Sequence, residues 1–176
     1  DVIILNNVLS GLVLSQVEST IISLFVSMLV LVLLTRRLGQ SLVVILPVGL
    51  AGAWVVGAMA MLGINWNVLT IMITALTIGL GIDYSIHVWR RIEANRGSGM
   101  GTWEAMRNMY STTGTALLLS SGTTICGFMV LLLSPIPVIQ DFGIVSSISV
   151  LFSLVMALLV LPGLLAAEFR TSSDYA

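Results

Sequence analysis

Residues 67–89 read NVLTIMITALTIGLGIDYSIHVW, a run of twenty-three positions that carries one formal charge, Asp83. As an α-helix rising about 1.5 Å per residue, such a run spans about 35 Å, enough to cross a hydrocarbon layer about 30 Å thick. No water is available in that layer, so backbone N–H and C=O groups must pair within the segment, and an uninterrupted apolar run there is a helix. Four more runs of this kind flank it, at about 17–34, 41–62, 112–133 and 138–167. The breaks between them are chemically distinct. Arg36-Arg37 closes the first, Gly63-Ile64-Asn65-Trp66 turns the second into the third, Arg90-Arg91 closes the third, and Ser134-Pro135-Ile136-Pro137 divides the last two. The fold class predicted is an all-α integral membrane bundle of five helices.

Composition agrees. Of 176 residues 57% are apolar and 9% charged, with seven Arg, eight Asp or Glu, one His and a net charge of −1. A soluble domain carries about 25% charged residues, and fifteen charges do not cover the surface of a water-soluble chain of this size. The absence of Lys argues against a nucleic-acid partner. Cys126 is alone within an apolar run, which excludes a disulfide framework and a cysteine metal site. No metal site and no cofactor are expected, and the partner implied by composition is the lipid bilayer. The chain opens on Asp1 with no signal-peptide layout ahead of the first apolar run, so a fragment or a processed piece of something larger is expected.

Orientation follows from the arginines. If the first span enters from outside, Arg36, Arg37, Arg90, Arg91, Arg96, Arg107 and Arg170 all fall on one side and the opposite turns carry none. This positive-inside bias puts the N-terminus outside, the C-terminus in the cytoplasm, and the protein in the cell membrane as a multi-pass chain. Trp66 suits the outer interface. Three regions follow: residues 1–16 as the end of a missing extracytoplasmic domain or a frayed amphipathic lead-in, 17–167 as the membrane domain, and 168–176 as a polar cytoplasmic tail. Within the 92–110 linker, Trp103, Met106 and Tyr110 beside Glu104 and Arg107 predict a short amphipathic helix at about 100–110 on the inner surface.

Asp83 is the most informative residue. It lies seven positions before Arg90, about 10 Å along a helix axis, where an aspartate costs about 2.5–3.5 kcal/mol to insert. Such a residue normally faces the bundle interior and marks an ion or proton path; the plainer reading is a protonated, hydrogen-bonded packing residue. Gly79, Asp83 and His87 share a helix face at spacing i, i+4, i+8. The glycine leaves room for a neighbouring helix or water beside the carboxylate. His87 either exchanges a proton with Asp83 or is an interfacial residue without a transport role. Hydroxyl stripes occur at Ser15, Ser19, Ser23 and Ser27, at Thr113, Ser120, Ser121, Thr123 and Thr124, and at Ser146, Ser149 and Ser153. Each serves helix packing or a hydrated interior. Gly49, Ala53 and Gly57 form a small-residue face for packing, and Asp141 reaches the outer interface or caps the fifth span.

The stretch Gly79-Leu80-Gly81-Ile82-Asp83-Tyr84-Ser85-Ile86-His87 resembles the resistance-nodulation-division (RND) superfamily, and most closely its MMPL-type lipid exporters and predicted exporters. Patched and the sterol-sensing domain are more distant relatives. The fourth transmembrane helix of that superfamily carries Gly-x-x-x-Asp, often followed by Tyr, matched here by Gly79, Asp83 and Tyr84. The Gly63-Ile64-Asn65 turn, the hydroxyl-rich fourth span, Ser134-Pro135-Ile136-Pro137 and Asp141-Phe142-Gly143 extend the similarity over about residues 20–167. The resemblance implies proton-driven export of hydrophobic or amphiphilic molecules such as lipids or drugs, with the proton as coupling ion. Asp83 and Tyr84 would form the relay, and Gly79, His87, Ser120 and Thr124 would support it. The five spans would be helices two to six, or eight to twelve, of a two-half transporter. The first helix of that half, the extracytoplasmic porter domain and the second half, or a homo-oligomeric partner in its place, would be supplied from elsewhere.

Two other readings compete. A sterol- or lipid-sensing or scaffolding module has about this many helices and needs no turnover. An intramembrane aspartyl protease would require Gly-x-Gly-Asp, but Ile82 intervenes, and a second aspartate at matching depth is missing because Asp141 is too close to the outer surface. Ser–His–Asp catalysis is also unsupported, since His87 lies at the end of a span with no nucleophile elbow near it. The chain is not expected to be an enzyme.

Overall fold

The computed structural model describes residues 2–36, 38–64 and 67–173. The expectations placed on Arg37, Asn65, Trp66 and the last three residues lie outside the described residues. Seven α-helical segments occur in order: α1 Val2–Thr35, α2 Leu38–Leu62, α3 Val68–Gly97, α4 Thr102–Met109, α5 Thr115–Met129, α6 Pro137–Val155 and α7 Leu161–Ser173. A π-type turn, Tyr110–Gly114, joins α4 to α5 without a break, and another, Met156–Val160, joins α6 to α7. A 3-10 turn, Val130–Leu133, ends α5. Five helices among the described residues are long and apolar enough to span a membrane: 17–35, 38–62, 72–97, 102–133 and 137–168. The protein is an all-α integral membrane bundle.

The helix ends show how the sequence sets the turns. Gly63 adopts φ +67°, the left-handed conformation that closes α2, and Ile64 N–H bonds back to Met59 O at 3.1 Å. Asn67 then caps α3. Its side chain accepts from the N–H groups of Leu69 and Thr70, both at 2.9 Å, while Thr70 Oγ1 accepts from Asn67 N–H at 2.8 Å. Pro137 opens α6 at a position where its missing N–H costs nothing. Pro47, inside α2, does not stop that helix; neighbouring helices make such prolines tolerable in membranes.

Arg90-Arg91 does not end α3, which runs on to Gly97. The arginines mark the end of the apolar stretch and not of the helix, because a helix that leaves lipid for the headgroup layer keeps its own hydrogen bonds. Met106 and Met109 of α4 are buried, whereas Trp103, Glu104 and Arg107 are exposed.

Helices α3 and α6 form the centre, each more than half buried through its apolar span. They run parallel in fixed register: Ile73 shares an apolar cluster with Val145, Thr77 pairs with Ser149, and Gly81 abuts Ser153. Helix α2 packs on both of them, α1 leans on α2 and α3, α4 on α3, and α5 on α6. The α3–α6 seam carries hydroxyls, with Thr77 of α3 against Ser149 and Ser153 of α6, and Thr70, Thr74 and Ser146 on these two helices are buried as well. Thr77 Oγ1 donates to Ile73 O at 2.7 Å and shares a hydrogen bond with Ser149 Oγ. Ser153 Oγ reaches Thr77 O at 3.4 Å. The third expected hydroxyl stripe is thus a packing seam.

Two glycines allow close approach of α3 to α2 and of α6 to the end of α5. A Cβ on Gly81 would lie 3.1 Å from Val48 Cγ1, and one on Gly143 would lie 2.7 Å from Phe128 O. The small-residue face of α2 behaves otherwise than expected. Gly49, Ala53 and Gly57 are exposed, and no neighbour lies within 4 Å of a Cβ built on either glycine. Gly49 and Ala53 border an open groove shared with α1, while α3 and α6 approach α2 through Val44, Val48, Ala51 and Val55, all buried.

Candidate functional site

Helix α3 carries the site. Its inward side presents Ile78, Ile82, Tyr84, Ser85 and Val88, all buried. Its outward side presents Met72, Ala75, Gly79, Asp83, His87 and Arg90, all exposed. At 3.6 residues per turn these six positions form one continuous stripe. Asp83, expected to face the interior of the bundle, therefore lies on the surface of this chain. Its carboxylate makes no hydrogen bond or ion pair with any described residue, and His87 makes none either.

Gly79, one turn from Asp83, has open space where a Cβ would project, so a helix from outside the chain can approach closely there. Tyr84 follows Asp83 by one residue and turns away from it. Its ring is 6% exposed, within a cluster that includes Leu31, Val44 and Val88. The two residues tied together by sequence resemblance thus occupy different sides of α3. Ser120 is exposed and Thr124 half-buried on α5, which packs on α6. Thr124 Oγ1 spends its proton on Ser120 O at 3.0 Å, a bond within its own helix. No hydrogen bond joins either residue to Asp83. The stripe on α1 is mixed, with Ser15 and Ser19 exposed and Ser23 and Ser27 half-buried. Asp141 is half-buried at the start of α6, four residues after Pro137.

Chemically, the outward stripe offers one carboxylate, one imidazole and one guanidinium along a single helix face. A carboxylate and an imidazole are proton-exchanging groups, whereas a guanidinium stays charged. Among the described residues no group of His, Cys, Asp or Glu could hold a metal ion. The sequence reading missed Gly81, Thr70 and Thr74. The three-to-four spacing of the threonines was a visible signal, and Gly81 was hidden by its proximity to Gly79.

The same chain, from the lead-in of α1 to α7, has known relatives. Residues 14–171 match the MMPL family. The chain belongs to the MMPL family. As an MMPL chain it is 35% identical over 156 residues to the membrane protein MJ1562 of Methanocaldococcus jannaschii, covering 89% of this chain and 40% of that one. It is 28% identical over 136 residues to Protein patched homolog 1 of Danio rerio, covering 72% of this chain and 11% of the relative. It is 27% identical over 162 residues to the transport protein MmpL4 of Mycobacterium leprae, covering 89% and 17% respectively. This MMPL chain thus spans two fifths or less of the length of these curated relatives. It is a membrane module of the MMPL family within the RND superfamily.

Proposed function

We propose that this chain is the membrane part of an RND-type exporter of hydrophobic or amphiphilic molecules, driven by the proton-motive force, with Asp83 as its intramembrane proton relay. The observation that carries this reading is the place of Asp83. It lies on the exposed stripe of a central helix, with no hydrogen bond or ion pair to a described residue, beside the open position at Gly79. A charged side chain turned to acyl chains costs about 2.5–3.5 kcal/mol near mid-helix and is normally covered by protein or water. The stripe therefore calls for a second surface, either another RND-type half or a second copy of this chain. A proton moving across 100 mV releases about 2.3 kcal/mol, and each pH unit adds about 1.4 kcal/mol. Together these bias a two-state bundle more than about a hundredfold. Neutralising Asp83 removes its pull on cationic or hydrogen-donating groups across that interface, so the halves can shift and pass the motion to an extracytoplasmic porter domain. Tyr84 acts from the core side of α3 by holding the helix in register. His87, one turn nearer the arginine end, receives protons from the cytoplasm of the cell whose membrane holds the protein.

The test uses the full-length protein in energised vesicles, with efflux of a fluorescent lipophilic dye as readout. Asp83→Asn is expected to abolish proton-coupled efflux while insertion and helical content stay at wild-type levels. Efflux at the wild-type rate in that variant would rule out the relay.

One observation favours a sterol- or lipid-sensing module as second reading. A largely apolar groove of about 420 Å³ lies between α1, α2 and α3, lined by Val17, Ile21, Leu24, Gly49, Gly52 and Ile78. Its lining does not include Asp83. A sensing module would bind a sterol or phospholipid probe with equal affinity in wild type and Asp83→Asn, and would show no dye efflux in either.

A further inference from the structure

The geometry points to a binding site for one anionic phospholipid at the arginine-bearing end of the bundle, in a groove between α4 and α7 bridged by the two π-type turns. This site is independent of Asp83 and of the exporter reading.

The groove has a volume of about 390 Å³ and two unlike walls. Trp103 and Arg107 of α4 with Tyr110 of the first π-type turn form one wall, and Leu159 of the second π-type turn with Pro162 and Gly163 of α7 forms the other. The α3–α6 register pairs residues 72 apart, so Pro162 stands about level with Arg90, where the apolar part of α3 gives way to charge. The continuous helix 102–133 has 32 residues and is about 48 Å long. That exceeds the hydrocarbon core by more than half, so α4 extends into the headgroup layer. The groove thus straddles the boundary between headgroups and acyl chains.

Its chemistry follows the same gradient. Arg107 is exposed, lines the groove and makes no hydrogen bond or ion pair with a described residue. Glu104, three residues earlier on the same helix, is exposed, does not line the groove and forms no ion pair with Arg107. Trp103 is 82% exposed, an indole at the depth where aromatic rings favour the interface. Tyr110 is already engaged, donating its hydroxyl to Leu158 O at 2.6 Å. Leu159, 65% exposed, offers apolar surface with no covering helix from this chain, and the buried Pro162 lines the groove beside it. An unpaired guanidinium above an apolar slot fits a phosphate joined to an acyl chain, and basic pockets between helices on the cytoplasmic side are known to take such headgroups. A soluble anion would leave the apolar half of the groove exposed, and a neutral lipid would leave Arg107 unpaired.

The experiment is native mass spectrometry of the full-length protein released from nanodiscs holding equal parts phosphatidylglycerol and phosphatidylcholine. Wild type is expected to retain one phosphatidylglycerol. Arg107→Gln should lower that occupancy about fivefold, the loss of one cation–phosphate contact. Gly163→Leu should lower it to a similar extent by filling the slot, where an added Cβ meets nothing within 4 Å. Arg90→Gln, which removes an exposed cation outside the groove, should leave occupancy unchanged. Circular dichroism identical to wild type certifies the fold of each variant. Equal retention of both lipids, wild-type occupancy in either groove variant, or displacement by soluble glycerol 3-phosphate would each overturn the site.

Discussion

Asp83 and Tyr84 are adjacent in sequence, yet one is exposed and the other is 6% exposed in the core. The cause is the helix itself, which turns about 100° per residue, so neighbours in a motif look in different directions. Gly79 and Gly81 repeat the lesson. Gly81 abuts Val48 and Ser153, while Gly79 faces open space. Gly81→Val should therefore destabilise the bundle by about 1–3 kcal/mol through overpacking, seen as a lower midpoint of thermal unfolding in detergent. Gly79→Ala should change stability by less than about 0.5 kcal/mol. If a second half covers the stripe, the same Gly79→Ala lowers dye efflux. An unfolding midpoint for Gly79→Ala that falls as far as that of Gly81→Val would contradict the assignment of faces.

Among the elements, the π-type turns decide how the arginine-bearing end is built. They touch each other: Tyr110 in the first bonds Leu158 O in the second, and a Cβ on Gly114 would lie 3.7 Å from Leu158 Cδ2. Such turns loosen the regular ladder of backbone bonds, and the tyrosine hydroxyl supplies a replacement. Tyr110→Phe should cost about 1 kcal/mol and speed hydrogen exchange at Met156–Val160 more than at Val145–Val150. Uniform exchange across both segments would mean that the bond does not hold the turn. Gly143 performs a similar service at the other end, where α6 crosses the end of α5. Gly143→Ala places a methyl 2.7 Å from Phe128 O and should destabilise by about 1–3 kcal/mol, read from the same unfolding curves. Turn residues made these boundaries legible in advance. Gly63 and Pro137 each do a job that their chemistry announces, whereas the cap at Asn67 emerged only with the fold. The continuation of α3 beyond Arg90-Arg91 was not legible, because charge tracks solvent and not helix termination.

For the molecule as a whole, the exposed stripe on α3 stands out because the helix that bears it is otherwise central. A second protein surface on that stripe should permit cross-linking. In a Cys126→Ser background of the full-length protein, Ala75→Cys is expected to form a disulfide or short cross-link with a cysteine on the opposing half or copy. Phe25→Cys, on the largely exposed α1, is expected to react with a lipid-soluble maleimide instead. Lipid-phase labelling of both cysteines with no cross-link would place Asp83 against acyl chains and remove the basis for the relay.

Sequence alone determined that the chain is a membrane bundle of five long apolar helices, where the turns at Gly63 and Pro137 fall, and that Asp83 is its one charge deep within a span. These follow from the solvent: lipid forces long apolar runs into helices, and turns need residues with special backbone freedom or capping groups. Which side of each helix meets which neighbour was decided only by tertiary structure. A helix apolar on all sides gives no hydrophobic direction to read, so facing rests on shape, on where Gly81 and Gly143 let backbones approach and where Thr77 finds Ser149. That packing turned Tyr84 inward and left Asp83 outward, because the inward positions of α3 were taken by contacts with α2 and α6.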